Sequence, residues 1–254
     1  MPSFLIPEWP APPQVHAKVS TRGGGTSNKP FDSLNLGLHV GDLPSNVLAN
    51  RSLLAKCLPA EPLWLDQTHS TVVSTPSKRA SHSITSISAD AIVTNIPNEV
   101  LAIMTADCLP VLFTSPNGTE VGAAHAGWRG LCSGILENTT HELMALNPLL
   151  KAKDLIVWMG PAIGPKCFEV GSDVLEAFQE TGIPFPETTF MPISDKPGKY
   201  LADIYALARS RLQALGITQI FGGDFCTVSD AGQYFSYRRD GVTGRFASFI
   251  WIAP

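Results

Sequence analysis

The chain has no C-x-x-C pair among its five cysteines, at positions 57, 108, 132, 167 and 226. An odd count at low density excludes a disulfide framework and fits a reducing compartment, so a cytoplasmic protein is expected. No apolar run approaches the roughly 20 residues of a membrane-spanning helix, so no membrane is expected as a partner. The N-terminus lacks the basic start and long apolar core of a secretory signal. Nor is there a clustered basic face: 18 lysines and arginines against 22 acids leave a net charge of −4, which argues against nucleic acid as a partner. Heptads, internal repeats and flexible linkers are absent as well. With 254 residues, 44% of them hydrophobic, the chain can bury a sizeable core. Residues 1–254 are expected to form one catalytic domain.

What is present is concentrated between Thr105 and Gly130. Two apolar runs, Leu109–Phe113 and Val121–Ala124, flank Ser115-Pro116-Asn117-Gly118. Asn-Gly between β-prone runs predicts a hairpin. It would place Cys108 just before one strand and His125 just after the other, side by side in space. A buried thiol and a satisfied core imidazole are the plainer reading of either residue alone. Their pairing across a hairpin, followed by Gly127-Trp128-Arg129-Gly130, points to a site.

The remaining elements follow from pattern. Val15–Thr21, residues 62–70, Ala89–Thr94, Val100–Met104, Leu155–Met159, Ile217–Phe221 and Arg245–Ile252 read as strands. Helices are expected over Pro44–Cys57, with Asn46, Asn50 and Arg51 facing outward, and from Gly130 to about Ala145. Two more are expected over Val170–Glu180, capped by Ser172, and over Leu201–Leu215, ended by Gly216. Residues 74–88 and 182–199 read as loops, and 236–241 as a polar turn. Cys57, Cys132, Cys167 and Cys226 read as core residues. Strands and helices interleave irregularly around an antiparallel hairpin, which predicts an α+β fold with mixed β-sheets flanked by helices in a single domain.

His69, Cys108 and His125 lie at predicted strand ends beside polar or glycine-rich turns. Two imidazoles and a thiolate suit zinc or copper, and three protein ligands leave a fourth position open for water or substrate. The same atoms support a rival chemistry, with Cys108 as nucleophile, His125 as its base and the amides of 127–130 as an oxyanion hole. Arg129, Arg22 beside Gly23-Gly24-Gly25, Arg238 and Arg239 are candidate anion-binding residues. Tyr237 is a candidate to pack or, under the resemblance described next, to stack on a base.

The segments S-T-R-G-G-G, S-L-N-L-G-L-H-V-G-D, L-D-Q-T-H-S, M-T-A-D-C-L-P-V-L-F, A-A-H-A-G-W-R-G, G-P-A-I-G-P-K-C-F-E-V and F-S-Y-R-R-D-G-V-T-G-R-F-A-S-F-I-W span residues 20–251. Through them the chain resembles a bacterial family whose members are named polyphenol oxidase, multicopper laccase-like protein, purine nucleoside phosphorylase or peptidoglycan editing factor. Asp66 stands where that family is expected to carry Glu. The resemblance implies a zinc on His69, Cys108 and His125, and a fold shared with a group of cysteine hydrolases. It implies phosphorolysis of adenosine, inosine and methylthioadenosine to free base and sugar 1-phosphate, with adenosine deamination beside it. Nucleoside and phosphate are then the partners, and an arginine must hold the phosphate. Alternatives are an amidase-like hydrolase acting on peptidoglycan precursors and a single-copper polyphenol oxidase. Six histidines without a His-x-His pair cannot furnish several copper centres.

Overall fold

The structure is a computed structural model that describes residues 1–80 and 87–254. Two sheets packed face to face form its centre. The larger has six strands in the order Gln219–Gly222, Ile156–Met159, Leu109–Thr114, Val121–Ala126, Ala91–Thr94, Val73–Ser74. Its outer pairs are parallel and its inner pairs antiparallel. The second has four antiparallel strands, Phe4–Leu5, Val15–Ser20, Phe246–Ile252 and Leu101–Thr105. A three-stranded sheet (169–171, 199–202, 190–192) and a two-stranded pair (65–66, 87–88) are peripheral.

Strand period fixes the layers. Val93, Val111, Phe113, Ala124 and Val157 face the helices Ile135–Leu146, Ser172–Glu180 and Ile204–Ala214. Their neighbours Ile92, Leu112, Ala123 and Trp158 point the other way, against Val19, Ile103, Phe246 and Ile250 of the four-stranded sheet. The outer face of that sheet, Ala102, Met104, Ala247 and Phe249, is closed by Leu34, Leu36 and Leu54. Both faces of both sheets are therefore covered, which is why these strands read as continuous apolar runs rather than alternating ones. The order is helices, sheet, sheet, helix, an α+β architecture with mixed sheets as the sequence predicts.

Several expectations are corrected. Asn50 faces inward, fully buried. Its amide donates to Ser27 Oγ and to the carbonyls of Ser33 and Asn35, and its oxygen accepts from the Thr26 amide. Gly25 sits against that loop so closely that a Cβ there would meet the Ser33 carbonyl oxygen at 2.3 Å. The glycine loop thus serves the chain's own close approach. Residues 62–70 pair only at Leu65–Asp66, with one bridge at Leu63. The helix expected from Gly130 begins at Trp128 and breaks at Gly134, whose φ is +101°. Gly171, not Ser172, precedes the helix 172–180, and Val170 lies in a strand. The helix expected from Leu201 starts at Ile204, capped by the Asp203 carboxylate. Residues 182–199 hold the strand Phe190–Pro192, and the loop expected over 74–88 holds a helix at Pro76–Ala80. Its stretch 81–86 lies outside the described residues. The polar turn at 236–241 is one helical turn, Tyr237–Asp240, capped by Ser236. No helix among the described residues is long and apolar enough to cross a membrane.

Candidate metal centre

The expected hairpin forms, with Pro110 opposite His125. His125 is inside its strand rather than after it, and is 4% exposed. Cys108 precedes the partner strand, as predicted. The third residue, His69, arrives on the loop after Leu65–Asp66, in the left-handed region at φ 63°. The ligand atoms of His69, Cys108 and His125 all lie within 4.8 Å of one another. Cys108 Sγ is 3.7 Å from His69 Nε2, and the two imidazole rings meet edge to face with centroids 4.8 Å apart.

Asp90 organises this cluster, and sequence reasoning missed it. Fully buried, it sits at the start of the strand between the hairpin and Val73–Ser74. Its Oδ1 accepts His125 Nδ1 at 2.8 Å and the His69 amide at 2.9 Å. Its Oδ2 accepts the Ser70 amide and hydroxyl at 2.6 and 2.7 Å. One carboxylate thus holds the loop that carries His69 and orients the ring of His125. With Nδ1 engaged, His125 Nε2 is the nitrogen left for a ligand, the arrangement of a carboxylate–histidine–metal unit. These bonds hold the Asp90 carboxyl well below the usual range, against the opposing effect of burial.

The donor set fits a metal ion. Bonds of about 2.3 Å to sulfur and 2.0–2.1 Å to nitrogen at a tetrahedral angle separate the donors by roughly 3.5 Å, close to the 3.7 Å seen. Gly127 supplies the room. A Cβ there would meet His69 Cδ2 at 2.7 Å and Cys108 Sγ at 3.1 Å. Without a metal, burial would raise the Cys108 thiol, but the His125 imidazolium and hydrogen bonds from both histidines outweigh it, and the thiol falls to about 6. Burial likewise disfavours charge on His125, yet the Cys108 thiolate and Asp90 raise it to about 9. The pair is poised as thiolate and imidazolium, the deprotonated sulfur a metal needs.

The cluster forms one wall of a cavity of about 410 Å³, lined also by His39, Gln67, Met104, Tyr237 and Arg245. That is within the roughly 300–1,000 Å³ of small-molecule sites. Gln67 bonds both backbone groups of Met104, each at 2.8 Å, and so ties the His69 segment to the four-stranded sheet. Arg245 is the cation of the cavity. Its Nη1 donates to the carbonyls of Thr243 and Gly244, leaving Nε and Nη2 without hydrogen bonds to the described residues. Burial, then repulsion by Arg245, lowers His39 below its ordinary value and favours the neutral ring.

None of the four arginines singled out from sequence lines this cavity. Arg22 bonds the carbonyls of Asp32 and Ala231 and lies over the Phe235 ring. Arg238 donates to the carbonyls of Cys167 and Glu169, and Arg239 clamps Thr227, Val228 and Tyr234. Arg129 is exposed and stacks over Trp128. The helix that begins at Trp128 has six residues, too short for a dipole site of its own. Arg245 had a weak signal, a cation in the last G-R-F before an apolar strand. Asp90 had one as well, an acid opening the run Ala91-Ile92-Val93.

Comparison with known proteins agrees over the whole length. The family model described as multi-copper polyphenol oxidoreductase laccase matches residues 16–253. A purine nucleoside phosphorylase of Escherichia coli is 51% identical, covering 99% of this chain and 100% of that protein. A purine nucleoside phosphorylase of Haemophilus influenzae is 50% identical over 98% of both chains. The solved structure of a Neisseria meningitidis protein superposes with a TM-score of 0.90 at 45% identity over 99% of each chain.

Proposed function

This chain belongs to the multi-copper polyphenol oxidoreductase laccase family, a family of enzymes, and from that premise we propose that it is a zinc-dependent purine nucleoside phosphorylase. Residues 1–254 act as one cytoplasmic catalytic domain, drawing the site from His39 to Arg245. The substrates are adenosine, inosine or methylthioadenosine with phosphate, and adenosine deamination is a side activity. The observation that carries the reading is the juxtaposition of the His69–Cys108–His125 cluster with Arg245 across one cavity.

The roles follow from what each side chain can do. A bound zinc supplies Lewis acidity and an activated water. Arg245 presents free guanidinium edges that suit a phosphate dianion, charge-assisted and bidentate. Neutral His39 donates or accepts one hydrogen bond to phosphate or ribose. The exposed Tyr237 ring forms a stacking surface for the purine. A phosphate oxygen so held attacks the anomeric carbon while the glycosidic bond breaks and its electron pair leaves with the base. Asp90 lies behind the cavity, and Gln67 lines it with its amide engaged by Met104. They position the His69 loop.

Among the described residues one cluster of three donors is found. It fits a single ion, so copper would give at most a one-copper phenol oxidation. A second reading rests on the Cys108–His125–Asp90 line, in which the thiolate attacks an amide and His125 protonates the leaving amine. A nucleoside panel assayed with and without phosphate decides between them. Phosphate-dependent release of free base, abolished by chelation, is expected. Amide cleavage that needs no phosphate and survives chelation would replace the phosphorylase reading with the thiol one.

A further inference from the structure

Two cysteines expected in the core are only partly buried, and they are not alone. Cys167 and Cys226, 59 residues apart in sequence, are both partly exposed free thiols. They meet on one turn. The Gly164 amide donates to Cys226 Sγ at 3.3 Å, and the Cys167 amide donates to the Gly164 carbonyl at 3.0 Å. Ser229 bridges them, its hydroxyl 3.3 Å from Cys226 Sγ and 3.8 Å from Cys167 Sγ. They are distinct from the metal cluster, since neither lines its cavity.

We propose that Cys167 and Cys226 form a dithiol site that hydroperoxides convert to a reversible disulfide, with Cys226 attacking and Cys167 resolving. The two thiols differ in the direction this order needs. Burial opposes ionisation at both. At Cys226 the hydrogen bonds of Ser229 and Gly164 outweigh it and bring the thiol below its ordinary value. At Cys167 burial prevails and the thiol is raised. The thiolate is the reactive form, so Cys226 reacts first. Its sulfur attacks the peroxide O–O bond, forming a sulfenic acid and releasing hydroxide, or an alcohol from an alkyl hydroperoxide, once protonated. Cys167 then attacks that sulfur, the S–O bond breaks, and water leaves with the thiol's proton. Two thiols lose two electrons and the peroxide gains them. The location suits a sensor. Thr227, next to Cys226, donates to Asp107 Oδ1 at 2.6 Å, and Arg238, held by the Cys167 carbonyl, donates its amide to Asp107 Oδ2 at 2.6 Å. Asp107 immediately precedes the ligand Cys108.

The test is peroxide treatment of the full-length, zinc-loaded protein, followed by alkylation, digestion and mass spectrometry. The expected product is one cross-linked peptide pair containing Cys167 and Cys226, reversed by dithiothreitol, while Cys57 and Cys132 remain alkylated. In Cys167→Ser, dimedone should trap a sulfenic acid at Cys226. In Cys226→Ser, Cys167 should stay unmodified at the same dose. Full alkylation of Cys167 and Cys226 under a dose that oxidises Cys57 or Cys132 would overturn the proposal. So would sulfenic acid accumulating at Cys226 in the wild type without a cross-link.

Discussion

The two walls of the cavity are built differently. The wall of His69, Cys108 and His125, with Asp90 buried behind it, belongs to the six-stranded sheet and the loop that Asp90 ties to it. His125 is 4% exposed and Asp90 wholly buried. Every polar atom on Asp90 is engaged by this chain. The rest of the lining, with His39, Tyr237 and Arg245, comes from segments outside that sheet. Tyr237 is 62% exposed, and Arg245 keeps part of its fork free. A rigid, satisfied wall holds reactive atoms in one geometry, and an open wall with unspent hydrogen-bonding capacity meets the substrate. Substitutions on the first wall should therefore remove the metal, and those on the second should change substrate affinity with the metal in place.

The largest effect is expected from Asp90→Ala. It leaves His125 Nδ1 and the 68–70 amides without their acceptor, and should cost about 3–5 kcal/mol in denaturant unfolding and about 10–100-fold in zinc affinity by competition with a chelator. Unchanged zinc affinity would break the contrast between the walls. Gly127→Ala forces a Cβ to within 2.7 Å of the His69 ring, so zinc content by mass spectrometry should fall while the fold survives by circular dichroism. Arg245→Gln should leave zinc content intact and lower kcat/KM by about 10–100-fold through the KM for phosphate, the worth of a hydrogen-bonded charge. The smallest effect belongs to Tyr237→Ala, about 2–10-fold in the KM for nucleoside if stacking is its role. Titration sharpens the same contrast. In chelator-treated protein the Cys108 thiolate should persist down to about pH 6, where an ordinary thiol is already protonated at about 9. Alkylation of Cys108 should therefore decline only as pH falls through about 6.

The sequence made the first wall partly legible. Asn117-Gly118 between β-prone runs reported the hairpin and with it the Cys108–His125 pairing, because turn chemistry and strand period are local. His69 stood out only as a histidine where a strand pattern breaks, and the family resemblance added weight to its grouping with Cys108 and His125, since nothing local joins a loop at residue 69 to residue 108. Asp90 stayed hidden because a single acid before Ala-Ile-Val looks like a strand end, and its role arises only when the His69 loop folds over it. Arg245 stayed hidden for the same reason, and more conspicuous arginines beside glycines drew the anion assignment. Asn50 was misplaced because helical period puts an amide outward unless a distant loop brings it partners. The sheet at 190–202 was missed because its strands are of three or four residues and one of them ends on Pro192.

The most direct test of the central claim is the metal content of protein purified without added metal, measured by mass spectrometry for wild type and for His125→Ala. About one zinc per chain is expected in the wild type and none in the variant. No metal in the wild type, or the same content in both, would contradict that claim, and the Cys108–His125 pair would then stand as a thiol nucleophile and its base.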